Sequence, residues 1–446
     1  MAKVLISPLG VGKKVEDRRY PEAVYRLDLG GGKGKEYRTP FVAAALATHL
    51  NVDRVFLIGT AKSMWEEVYR YFANESGQDE DMDYWYGLGD RSSSSNSKKS
   101  LIQTEHLEMT NSVIDSYLKH VSPNALGGSR CYITSYGIDE GELWNNFDIF
   151  MSIGNNLDRG DEVYLDITHS FRSIPLFMYL MMDFIQTLNY EKEIKLAGIY
   201  YGMLEANGEF GYAPVVDLSP LFNISLWARG VYNFINYGNG YLMADLIEDD
   251  RIRTKIKNIS ELVNINYLTD LKREIDSLEY YINNSETSSF RVFKYLMPYL
   301  GSFIKRFKGI NSNSEFQFEL ARWYFENKRY SSGYICLAEC IVTRIAEIYK
   351  GAGCTIGTSK DDRDKIKRLI NNKFQYSKKE SYRELNEKFK EISEIRNDIA
   401  HAGYLRSGSF EKDIGESRSY LNSINKLVFN NGEMKQIPKE YPYTNF

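Results

Sequence analysis

The first 220 residues alternate short β-branched runs with segments of helical period, and beyond Pro220 the strand signal fades. That change of period constrains the fold more than any other feature of the chain. Lys3–Ser7, Arg54–Gly59, Cys131–Tyr136, Glu162–Ile167 and Lys195–Tyr201 read as buried strands, with helices over Thr39–Leu50, Ala61–Ala73 and Ser173–Leu188. Apolar strands alternating with amphipathic helices predict an α/β, Rossmann-like unit with a mostly parallel sheet. The later segments predict an all-α region: Ser225–Phe234, Leu242–Ile256, a helix pair over Glu315–Lys350 turning at Lys328–Ser331, Lys360–Ile370 and Tyr382–Ala402. The expected division is 1–222 and 223–446. Residues 79–100, acidic and then serine-rich, read as a surface insertion.

A chain of 446 residues has length for two or three domains with real cores. No apolar run reaches the length of a membrane span, and Met1–Ile6 leads into a strand with no signal-peptide pattern. A cytoplasmic protein without a membrane partner is expected. Cys131, Cys336, Cys340 and Cys354 show no paired metal-ligand spacing, and Cys336 and Cys340 read as core residues one helical turn apart. The net charge of −4 hides an asymmetry: residues 1–224 carry 21 basic and 31 acidic side chains, residues 225–446 carry 35 and 29. The basic excess of the second half favours a polyanion partner. The 34 tyrosines offer stacking surface for bases alongside their ordinary core role. No helix-turn-helix with a basic recognition helix is evident, which argues against a transcription factor.

In doubly wound sheets ligands sit beyond the carboxyl ends of the strands. Three such ends carry suitable residues. Leu9-Gly10-Val11-Gly12-Lys13 has glycines that let backbone N–H groups approach an anion. Gly59-Thr60-Ala61 closes the next strand. Asp166-Ile167-Thr168-His169-Ser170-Phe171-Arg172 runs from strand into helix, where Thr168 and Ser170 suit a helix N-terminus and Arg172 adds fixed charge. The plainer account of each loop is a turn, with Asp166 tying it to its neighbours and His169 orienting it through the backbone. The tract Gly30–Lys35 lacks the Gly-Lys-Ser/Thr ending of a nucleotide loop and reads as a flexible turn.

In the helical half, Arg396-Asn397-Asp398-Ile399-Ala400-His401 puts a cation, an amide and an imidazole on one helix. At about 100° per residue, Phe389, Ile392, Ile395, Ile399 and Ala402 form an apolar stripe, with Asn397 and His401 roughly opposite. An imidazole exchanges a proton near neutral pH, and a guanidinium holds phosphate. One copy leaves this constellation open, so a composite site at a two-fold interface is expected. The alternative for His401 is a C-terminal helix cap before Gly403. Glu339 reads as a solvated helix charge rather than a partner of Arg396.

Asp166-Ile167-Thr168-His169-Ser170-Phe171-Arg172-Ser173-Ile174-Pro175 resembles the Asp-x-Thr-His-Gly/Ser-x-Arg signature of the CRISPR-associated DxTHG-motif proteins. There it belongs to a CARF (CRISPR-associated Rossmann fold) sensor domain. Position 170 is Ser where the family name has Gly. Arg396–His401 resembles the Arg-x4–6-His motif of HEPN ribonucleases, including the Asn after the Arg. The resemblance, CARF first and HEPN last, covers nearly the whole chain. It implies a type III CRISPR ancillary ribonuclease working as a homodimer or higher homo-oligomer. Paired CARF domains bind cyclic oligoadenylate, with tetra-adenylate favoured over hexa-adenylate, and paired HEPN domains then cut single-stranded RNA without metal or other cofactor. Carried onto this sequence, Arg396 and His401 are the catalytic pair and Asn397 assists. Thr168, His169, Ser170 and Arg172 lie in the ligand motif, and Gly10–Lys13 and Gly59–Ala61 match the other ligand-facing strand ends.

An Arg/His site without a carboxylate cluster agrees with attack by the RNA 2′-hydroxyl. His401 would assist proton transfer and Arg396 would stabilise the phosphorane, leaving 2′,3′-cyclic phosphate and 5′-hydroxyl ends. DNA lacks the nucleophile and should resist. Two other readings stay open: a non-catalytic cyclic-nucleotide sensor or adaptor, and an activator-independent, toxin-like ribonuclease.

Overall fold

The computed structural model describes residues 1–12, 21–28, 34–93, 101–169, 173–188, 190–283, 291–357, 359–403 and 409–443. They divide into two compact units, Met1–Phe222 and Asn223–Phe446.

In the first unit, eight strands among the described residues form one sheet. They are β1 (Lys3–Leu9), β2 (Ala23–Leu27), β3 (Lys35–Thr39), β4 (Arg54–Thr60), β5 (Arg130–Thr134), β6 (Glu162–Asp166), β7 (Lys195–Gly202) and β8 (Ala213–Asp217), in the order β3-β2-β8-β7-β6-β1-β4-β5. From β7 to β5 all neighbours are parallel. The far margin is mixed: β8 is antiparallel to β7, β2 is parallel to β8, and β3 is antiparallel to β2.

Both faces of the parallel core are buried, which is why its strands read as continuous apolar runs. Val4, Ile6, Phe56 and Ile58 enter one core, and Leu5, Leu9, Val55 and Leu57 enter the other. Helices α1 (Val42–Leu50), α2 (Trp65–Glu75) and, further on, Glu108–Val121 cover the second face through Val42, Trp65, Phe72 and Ile114. Thr39, expected to open α1, instead ends β3. Between α2 and Glu108–Val121 lies α3 (Met82–Ser93), inside the tract read as a surface insertion. Its Leu88 is buried, and its Tyr84 donates to the His106 carbonyl at 2.7 Å and meets Tyr69 edge-on. Those contacts order the acidic part of the tract as a packed helix; residues 94–100 lie outside the described residues. With Glu108–Val121 as α4, helices α5 (Glu140–Asn155) and α6 (Ser173–Leu188) cover the opposite face through Phe150, Ile153, Met178 and Met182.

β1 has β6 on one side and β4 on the other, so the crevice beyond their carboxyl ends is a topological switch point. Register sets Leu9 opposite Gly59 and Ile6 opposite Leu165, which brings the three expected ligand loops to the same rim.

The second unit is helical among its described residues. The division between the units falls within α7 (Ser219–Tyr237). Leu242–Ile256, expected as one helix, is two. A short helix over Tyr241–Asp245 stops, and α8 (Asp250–Ile265) starts afresh because the Asp249 side chain caps it by accepting the Arg251 N–H. α9 (Leu268–Asn283), α10 (Arg291–Phe307), α11 (Asn313–Glu326), α12 (Tyr330–Gly351), α13 (Lys360–Asn372), α14 (Glu380–Ala400) and α15 (Phe410–Ile424) follow. The turn between α11 and α12 is made by Lys328 at φ 58°. Leu337, Ile341 and Ile345 of α12 share a core with Leu385, Phe389 and Ile392 of α14, and Cys336 and Cys340 are buried in it. Among the described residues no helix is long and apolar enough to cross a membrane.

Candidate functional site

Asp166 ends β6 fully buried, held by two donors: the Ser7 hydroxyl at 2.5 Å and the Thr168 N–H at 2.9 Å. Thr168 Oγ1 in turn accepts the Gly202 N–H from the end of β7 at 2.8 Å. Burial pushes the Asp166 carboxyl above its usual range, with His169, Ser7 and Thr168 pulling the other way. Burial also holds the His169 imidazole below its ordinary value, against Asp166 and Glu205. The ring is therefore neutral at pH 7. Its Nε2 is buried with no hydrogen-bond partner among the described residues. A Cβ added to Gly10 would lie 3.9 Å from His169 Cβ, so the loop after β1 rests against this histidine.

The other two strand ends are stitched together by Ser63. Its hydroxyl donates to the Leu9 carbonyl at 2.9 Å and accepts the Thr60 N–H at 3.0 Å. Trp65 Nε1 donates to the Thr60 carbonyl at 2.9 Å, and the Met64 N–H to the Gly10 carbonyl at 3.3 Å. Gly59 admits no side chain, since a Cβ would meet Trp65 at 2.8 Å and Ser63 Oγ at 2.9 Å. Gly59 and Thr60 thus face inward and support the rim from behind, while Ala61 is half-buried and Val11 and Gly12 are exposed. Lys13, Ser170, Phe171 and Arg172 lie outside the described residues. Ser7 and Ser63 had one usable signal each. Ser7 is polar inside an apolar strand, where a buried hydroxyl needs a partner, and Ser63 stands where a strand end turns into a helix.

In the second unit, Phe389, Ile392 and Ile395 are buried and Ile399 packs on the same core. Ala402 does not continue the stripe. α14 ends at Ala400, and Ala402 and Gly403 take positive φ of 55° and 65°. His401 stands at the cap position, its N–H donating to the Asn397 carbonyl at 2.9 Å, and both side chains are exposed. A cap position and an available imidazole coexist here, because capping uses the backbone.

Arg396 is half-buried, with Nη2 3.8 Å from Glu339 Oε1 on α12. Glu339 is not a solvated charge. Arg363 of α13 donates to it from Nε at 3.1 Å and also from Nη2, and Lys367 Nζ stands 3.6 Å away. Burial would raise the Glu339 carboxyl, but Arg363, Lys367 and Arg396 together hold it below the usual carboxylate range. One carboxylate shared by three cations orients Arg396 and leaves the cluster with surplus positive charge. Arg363 and Lys367 had a single signal in the sequence: their four-residue spacing puts both on one helix face.

Residues 4–204 match the family model for the CARF domain of the CRISPR system endoribonuclease Csx1, and residues 223–313 match that for the second domain of the CRISPR-associated protein MJ1674. Full-length MJ1674 from Methanocaldococcus jannaschii is 43% identical over 434 residues, 95% of this chain. The chain spans 66% of that relative's length. A solved structure, Enterococcus italicus Csm6 bound to cyclic hexa-2′-fluoro-hexa-dAMP, aligns over 100% of this chain and 99% of its own, at 11% identity and a TM-score of 0.44. With a CARF match over most of the first unit and an MJ1674 match continuing into the second, the chain belongs to the CRISPR-associated proteins that carry an amino-terminal CARF domain.

Proposed function

We propose that this chain is a cyclic-oligoadenylate-activated, metal-independent endoribonuclease of type III CRISPR antiviral defence, with the second unit acting as a HEPN nuclease on single-stranded RNA. The observation that carries the reading is the end of α14. There an exposed imidazole follows a guanidinium that Glu339 anchors without neutralising. The family model matching the first unit is that of an endoribonuclease, which agrees. Arg396 holds the scissile phosphate, His401 moves the proton of the 2′-hydroxyl or of the leaving 5′-oxygen, and Asn397 helps to orient the ribose.

The activator sits over the switch point of the first unit. His169 is neutral there, and its buried Nε2 has no hydrogen-bond partner among the described residues, which leaves it capacity for a nucleotide once the loop gives way. Gly10, Val11 and Gly12 approach with backbone, and tetra-adenylate is the ring we favour. The pairing of two copies is supported by an exposed apolar stripe on α6: Leu176, Leu180 and Phe184 are 59%, 49% and 40% exposed. Phe184 continues through Phe147 to the exposed Trp144.

End-group analysis of the cleaved RNA tests the chemistry. The reading requires 2′,3′-cyclic phosphate and 5′-hydroxyl ends, protection of any position carrying a 2′-deoxyribose, and a loss of about 100-fold or more with His401→Ala. Free 3′-hydroxyl ends, or cutting at a deoxy position, would exclude it.

A further inference from the structure

We propose that the helical unit carries a second, separate nucleotide site, in the cleft between the C-terminal half of α12 and the segment after α15. The cleft has a volume of about 330 Å³, at the lower end of the range for small-molecule sites. Two cations, Arg344 and Lys435, and one carboxylate, Glu347, stand at it, and Ile348, Val428, Phe429 and Met434 give it an apolar wall.

Arg344 is the reason to expect an anion. Its guanidinium lies over the Phe429 ring, 5.2 Å from the centroid, and its Nε is buried with no hydrogen-bond partner among the described residues. Glu347 does not fill that role. The Arg344 Nη1 to Glu347 Oε2 distance is 3.7 Å, an ion pair too long for a hydrogen bond. Both Glu347 oxygens are already engaged by Ser314, from its N–H at 3.1 Å and its hydroxyl at 2.5 Å. A half-buried guanidinium whose carboxylate neighbour stands 3.7 Å away keeps hydrogen-bonding capacity for a phosphate oxygen, and charge-assisted bonds strengthen away from water. Lys435, exposed at the rim, adds charge that guides an anion in. The apolar wall then favours a phosphate that brings a base over a bare anion.

The cleft is distinct from the Arg396–His401 end of α14. Arg344 is five residues beyond Glu339, about 7.5 Å along α12 and about 140° around it. The ligand class is therefore a nucleotide, either a free nucleoside monophosphate or the terminal nucleotide of a bound RNA. The inference does not depend on the nuclease reading.

Calorimetric titration of the full chain with AMP, UMP, adenosine and inorganic phosphate tests it. The monophosphates should saturate, and adenosine and inorganic phosphate should bind much more weakly. Arg344→Gln should weaken monophosphate binding about tenfold or more, the cost of one charge-assisted hydrogen bond. Lys435→Gln, a change at an exposed residue that keeps the proposal testable should the Arg344 variant misfold, should weaken it several-fold. A 5′-phosphorylated, fully 2′-O-methylated RNA hexamer that displaces AMP would assign the site to RNA ends, and failure to displace would assign it to free nucleotides. Absence of saturable binding, adenosine binding as tightly as AMP, or monophosphate affinity unchanged in both variants would overturn the proposal.

Discussion

His169 is held neutral at pH 7 by burial although Asp166 lies beside it. An imidazole in the unfolded chain takes up its proton near pH ~6.5, and the folded ring does so only at lower pH. As pH falls through the unfolded value the unfolded state binds the proton first, so this residue's contribution to stability is present above that value and is lost on acidification. Among the five histidines, the His169 ring resonances should titrate with a midpoint below ~6.5 and should vanish in His169→Gln. A midpoint above that value would contradict the burial argument. The motif around His169 was legible because Asp166, Thr168 and His169 are neighbours in sequence. Ser7 and Gly202, on β1 and β7, and Ser63, in the turn between β4 and α2, hold the same loop rim in place and reach it only through the fold.

The elements that matter most for the second unit are α12, α13 and α14, joined at Glu339. Glu339→Gln should leave Arg396 without its anchor and three cations facing one another. We expect at least about a tenfold loss in the rate of RNA cleavage, one missing orienting interaction, with KM for RNA little changed and helical content by circular dichroism kept. A variant that cleaves at the wild-type rate would show that Glu339 serves packing alone.

Elements with a strong local signal were legible. Ser173–Leu188 keeps its expected bounds, and the α11–α12 turn sits at Lys328. β2, β3 and β8 were not, because their five-residue spans carry Arg26, Lys35, Glu36, Arg38 and Asp217 and depend on pairing for their conformation. α3 was hidden for a different reason. Its acidic, serine-flanked composition masks the few aromatic contacts that hold it. Ala402 fell outside the stripe because α14 closes one residue before His401, a boundary that helical periodicity does not mark.

At the scale of the whole molecule, an acidic first unit and a basic second unit suit a division between an activator bound through backbone and hydrogen bonds and a polyanionic substrate. Pairing of two copies through the stripe on α6 is the proposed means of coupling the two roles. Leu180→Asp should therefore convert a dimer into a monomer in sedimentation velocity and abolish activator-dependent cleavage while leaving the fold of each unit intact. Dimers that persist in that variant would place the interface elsewhere. A ligand-gated, metal-free nuclease is put to the test by RNA cleavage in EDTA with and without each cyclic oligoadenylate, for wild type and His401→Ala. Cleavage should occur with wild type only, switched on by a single ring size. Equal cleavage without any activator, or none by wild type despite tight activator binding, would contradict it.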